Sequence, residues 1–155
     1  MKKKILSALS ILLIVCLVLP ACGEVTAKKP LNEIYGEIAQ KFELPQMLRL
    51  GEGDLMVFLG IDGGDCEQFE AYIPDNVVLA DALLLFECSD AAAAARVKEK
   101  VDAFKAASAA SMKGYIPSEY DKIESSAAVK KGNFVWLVIS DDRAGIEEII
   151  NSNIK

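Results

Sequence analysis

The stretch ALLLFECSDAAAAARVKEKVDAFKAASAASMKG, residues 82–114, holds the two elements that decide the fold. Ala82 to Cys88 is apolar except at Glu87 and is bounded by polar residues. A run of that length reads as a strand buried on both faces, with a short buried helix segment as the rival. Ser89-Asp90 then presents side-chain oxygens where the first free N–H groups of a helix need acceptors. Five alanines follow, and alanine is the best helix former. Val97, Val101, Phe104 and Met112 fall near one stripe, while Arg96, Lys98, Glu99, Lys100 and Asp102 lie mostly off it. Gly114 stands where a left-handed residue ends a helix. The spacing predicts a central strand running into a long helix over about 91–113.

Downstream, Tyr115-Ile-Pro117-Ser118 is a turn and 118–123 fits one or two helical turns. Ala127 to Lys130 and Phe134 to Ser140 read as a hairpin across Lys131-Gly132-Asn133. The second of these strands is the most apolar in the chain and is expected at the centre of the sheet. Asp141 caps a last helix that turns Ile146, Ile149 and Ile150 to the core. Upstream, Asn32 caps a helix carrying Ile34, Tyr35, Ile38 and Phe42, which Leu44-Pro45 ends. Asp54 to Gly60 fits a strand or a short helix, the Asp cap and Gly stop slightly favouring the helix. Asp62-Gly63-Gly64-Asp65 is a loop, and Asp65 caps another short helix through Tyr72, ending before Pro74. The expected class is α+β: a small antiparallel or mixed sheet of two to four strands against one long helix and several shorter ones.

The first residues belong to another regime. Met1-Lys-Lys-Lys precedes an apolar run from Ile5 to Leu19, 15 residues that would span roughly 22 Å as a helix. That is short of a hydrocarbon core of about 30 Å, which favours a signal peptide over a membrane helix. Leu19-Pro20-Ala21-Cys22-Gly23 resembles a bacterial lipobox. The resemblance implies that residues 1–21 are cut away and that Cys22 becomes a diacylated N-terminus. Two acyl chains suffice for stable anchoring where one does not. Residues 22–31 then read as lipidated terminus and tether, and 32–155 as a single domain.

Composition narrows the function. The 155 residues include no histidine, 17 Lys+Arg and 23 Asp+Glu, a net charge of −6. Losing Lys2, Lys3 and Lys4 with the signal peptide leaves −9 over 134 residues. Imidazole bases, Ser-His-Asp and Cys-His pairs and His-ligated zinc are excluded. The acidic balance argues against nucleic acid as a partner. No spacing calls for a metal or a cofactor. Asp54, Asp62 and Asp65 lack the alternation of a calcium loop, because Gly63-Gly64 interrupts it. Asp141-Asp142 reads as a helix start rather than a ligand site.

The order of features is similar to a known family. It comprises Gly60-Ile61-Asp62, Pro74, the strand Leu83–Glu87 into a helix near Asp90, Tyr115-x-Pro117, Gly132-Asn133-Phe134-Val135, and Asp141-Asp142 before a last helix. Over about residues 50–152 this resembles DUF4358, a domain of unknown function in lipoproteins of Firmicutes. The resemblance implies no activity and carries over no catalytic residue.

The expectation is a lipid-anchored, non-enzymatic binding or assembly module on the extracytoplasmic face of the membrane, with an envelope protein as partner. A ligand-binding accessory to a transporter and a small carboxylate-dependent envelope hydrolase are the alternatives. Cys66 and Cys88 are the candidate disulfide pair. Tyr115, Pro117 and Tyr120 form the candidate contact patch, whereas Trp136 inside the apolar strand belongs to the core.

Overall fold

Ala82–Cys88 forms strand β3, and Asp90 turns the chain into a 22-residue helix, α3 (Ala91–Met112). The Asp90 carboxylate accepts the Ala93 N–H at 2.7 Å, the capping bond that the sequence calls for. Lys113 is the last capped position and Gly114, at φ 75°, makes the left-handed exit. The computed structural model describes residues 25–155.

Five antiparallel strands make one sheet in the order β1-β2-β3-β5-β4. They are β1 (Met47–Arg49), β2 (Cys66–Pro74), β3, β4 (Val129–Lys131) and β5 (Phe134–Ile139). The fold is α+β, with five strands where two to four were expected. The two strands without a clear sequence signal are β1, only three residues long, and β2. Residues 66–72 were expected as a helix capped by Asp65. They pair instead with β3, and Phe69, Ala71 and Ile73 alternate with Glu70 and Tyr72 between the two faces. Strand β3 is central and β5 sits beside it, joined along Ala82↔Ile139 to Glu87↔Phe134.

Both faces of the sheet are covered. On one lie α3, α4 (Pro117–Glu124) and a helical stretch at 52–59, with Leu84, Phe86, Val97, Val101, Leu137 and Ile139 in the shared core. On the other lie α1 (Leu31–Lys41) and α5 (Arg143–Asn153), packed on Leu85, Trp136 and Val138. This explains the near-continuous apolar run of β3 and the unbroken one of β5. A strand covered on both sides has no solvent face to mark with polar residues. The alanines at the start of α3 do more than favour helix, since Ala93 and Ala94 are buried against the sheet.

The ends of several elements differ from expectation. Pro30, not Asn32, precedes α1, because its fixed φ suits the position before the first helical residue. Asp142 rather than Asp141 starts α5, with no side-chain cap. The hairpin turn is the pair Gly132-Asn133, shorter by one residue, with Gly132 at φ 58°. The stretch read as a tether is tied down from Val25 onward. Thr26 and Lys155 exchange backbone hydrogen bonds at 2.7 and 2.9 Å, and the Lys28 N–H reaches the Asn153 carbonyl at 2.8 Å.

Candidate functional site

One end of the sheet gathers charge. Asp81 precedes β3, Asp141 follows β5, and α4 lies across that end with Glu119 and Lys122 one turn apart. Lys122 Nζ lies 3.1 Å from Asp81, 3.3 Å from Glu119 and 3.4 Å from Asp141. Asp81 and Glu119 are buried, and Glu119 also accepts the Ala80 N–H at 2.8 Å. Burial works to lower the Lys122 pKa, but Asp81 and Glu119 outweigh it and hold the ammonium above its ordinary value. Three carboxylates therefore converge on one permanent cation. A cleft of about 380 Å³ lies over them. The cluster braces the start of β3, the end of β5 and α4 against one another.

A second site lies toward the other end, on the α3 face. Glu52–Asp54 is a single helical turn, α2, and Leu55–Leu59 continues it as a π-helix. Asp54 anchors it by accepting the Gly51 N–H at 2.9 Å. Five apolar residues in so short a helix cannot all face inward. Leu55 and Leu59, four apart, go into the core, and the wide turn pushes Met56, Val57 and Phe58 out. They are 54, 77 and 47% exposed. Gly60 ends the turn at φ 66°, a conformation that costs an L side chain about 1–2 kcal/mol. Single-turn π segments are frequent at functional sites.

Between this turn and α3 runs a cleft of about 420 Å³. Met56, Ile61 and Val97 give it apolar walls, and Asp65, Arg96 and Lys100 give it charged ones. Arg96 grips Asp65 with both arms of its guanidinium, the Nε contact at 3.1 Å. That pairing holds the Asp65 carboxyl below its ordinary pKa. The site thus combines an exposed apolar ridge with an adjoining groove of mixed charge. The residues of the ridge were legible as an apolar run but not as a surface.

The remaining candidates are dispersed. Tyr115 and Pro117 are exposed at the start of α4, while Tyr120 packs against the core, so two of the three residues face outward. Asp62 accepts the Gly64 N–H at 3.0 Å, and with Asp54 and Asp65 also engaged locally each of the three acids has a structural partner. Among the described residues no group of three or more Cys, Asp or Glu is placed to hold a metal ion. Cys66 and Cys88 face each other across β2 and β3 as free thiols. Cys22 lies outside the described residues.

No curated protein and no solved structure matches the chain. The family described as Domain of unknown function (DUF4358) does match, over residues 40–140. That span takes in the π turn, all five strands, α3 and α4. It reaches further upstream than the 50–152 of the resemblance and stops before α5. The chain belongs to the DUF4358 family.

Proposed function

We propose that the protein is a lipid-anchored, non-enzymatic binding module of the cell envelope, held to the extracytoplasmic face of the membrane through Cys22. Its partner is a protein that docks on the Met56–Phe58 ridge and the adjoining cleft. The observation that carries this is the exposure of three consecutive large apolar side chains beside a groove of mixed charge. An apolar centre with a charged rim is the usual anatomy of a protein-binding surface. A carboxylate hydrolase is the second reading, favoured by the convergence of Asp81, Glu119 and Asp141. Lys122 weakens it, because its ammonium already occupies the point on which the three carboxylates converge.

Two measurements test the proposal. Labelled palmitate is expected on the wild-type chain and absent from Cys22→Ala; equal labelling of both removes the anchor. A photo-crosslinking residue at position 57 in intact cells is expected to capture one recurring protein. Phe58→Asp should abolish that adduct. The same probe at Val77, which is 88% exposed at the β2–β3 turn, should not give it. Lipid adducts alone at position 57 would overturn the protein partner.

A further inference from the structure

Cys66 opens β2 and Cys88 closes β3, and the two are register partners. Their pairing depends on an irregularity. From Tyr72↔Leu83 to Gln68↔Glu87 the register is regular, and continued it would set Glu67 opposite Cys88. A bulge between Cys66 and Gln68 inserts one residue and brings Cys66 opposite instead. It also moves the side chain to the other face. By alternation from Phe69 and Ala71, position 67 would belong to the α3 face and position 66 to the opposite one. Cys66 nevertheless packs on the same core cluster as Cys88.

The hydrogen bonds around the pair specify its geometry. The Ser89 N–H donates to the Asp65 carbonyl at 3.0 Å, and the Cys88 N–H points away from β2 to the Asn133 carbonyl at 2.8 Å. Cys66 and Cys88 are thus a non-hydrogen-bonded antiparallel pair, the kind in which Cα atoms approach to about 4.5 Å. Disulfides accept Cα separations of about 4.4–6.8 Å. We propose that Cys66 and Cys88 are the two halves of one cross-strand disulfide, made by exchange with a protein disulfide as oxidant.

The two thiols are unequal in a way that orders the steps. Cys66 is half-buried and Cys88 is fully buried. The neighbouring Cys88 thiol holds Cys66 below the ordinary cysteine pKa, against burial and the nearby Asp65 and Asp62. Cys66 and then burial push Cys88 upward. The Cys66 thiolate attacks one sulfur of the oxidant and expels the other as a thiolate. Cys88 gives up its proton, attacks the Cys66 sulfur and releases the second thiol of the oxidant. Two protein thiols are oxidised and one oxidant disulfide is reduced to a dithiol. The bond fixes the strand end next to Asp65, one wall of the cleft. In the cell its formation rests on the extracytoplasmic location proposed above; its geometry does not.

The test uses full-length chain, reduced and then incubated with oxidised glutathione. Blocking with N-ethylmaleimide under denaturing conditions and peptide mass spectrometry follow. A linked Cys66–Cys88 peptide carrying neither maleimide nor glutathione is expected. Cys88→Ala should leave glutathione on Cys66. The linked wild type should melt on the order of 5–10 °C above its own reduced form. Wild type that keeps a native circular dichroism spectrum while both cysteines stay free or glutathionylated would overturn the proposal. Acid-quenched cells should also yield the linked form. A pair linked in glutathione but free in cells would uphold the pairing and overturn the location.

Discussion

Lys122 is the side chain on which the most charge depends. Removing it as Lys122→Met leaves Asp81 and Glu119 buried without their cation, at an expected cost of about 3 kcal/mol by chemical denaturation. Asp141, with a side chain 86% exposed, adds little to that figure. The pH dependence has a definite sign. Because the folded protein holds the Lys122 pKa above 10.5, its contribution is complete below pH 10.5 and is lost as pH climbs through the higher folded value. Wild type should therefore lose stability in that alkaline window, and the methionine variant should lose less. A steeper alkaline loss in the variant would show that Lys122 is not the titrating group. The i,i+3 spacing of Glu119 and Lys122 was open to a helical reading, but the pairing with Asp81 was not, since the two stand 41 positions apart and meet only because α4 is laid across that end of the sheet.

At the scale of elements, legibility followed burial. Strands β3 and β5 and helix α3 announced themselves because their interiors are decided by composition: apolar runs, interrupted in β3 only by Glu87, and an alanine-rich opening. Strand β2 did not. Glu67, Gln68 and Glu70 dilute its alternation, and Glu70 is polar yet buried because Arg49 on β1 binds it at 3.0 and 3.1 Å and the Tyr72 hydroxyl donates to it at 2.9 Å. A reader of the chain alone has no means of pairing Glu70 with an arginine 21 residues away. Two glycines make the packing of helices testable. Gly36 in α1 has open space where a Cβ would stand, so Gly36→Ala should gain up to about 1 kcal/mol from helix propensity. A Cβ on Gly145 in α5 would come within 2.7 and 2.9 Å of the Phe42 ring. There crowding exceeds the propensity gain, and Gly145→Ala should cost about 1 kcal/mol net. Opposite shifts of the two denaturation midpoints are expected; equal gains would show that α1 and α5 are not in close contact at Phe42.

Over the whole molecule, the two ends of the described chain close on each other. Val25 and Ala27 pack beside Ile154, which is buried, and Lys131 Nζ binds the Ile154 carbonyl at 2.8 Å. Ile154→Ala should cost about 3 kcal/mol, because the side chain is buried in the core under α1 and α5. Thermal unfolding of the purified domain checks this, and a neutral result would mean that the clasp frays. Gly132 belongs to the same junction, since a Cβ there would sit 2.6 Å from that of Val25. The clasp also has a mechanical meaning. Only three peptide units separate Cys22 from Val25, roughly 10 Å of chain at full stretch. If Cys22 carries the proposed acyl chains, tension from the bilayer would enter the domain at Thr26 and pass through its paired backbone hydrogen bonds into Lys155, loading that clasp before the sheet feels it. Residues 153–155 would then serve as the fuse of that anchor.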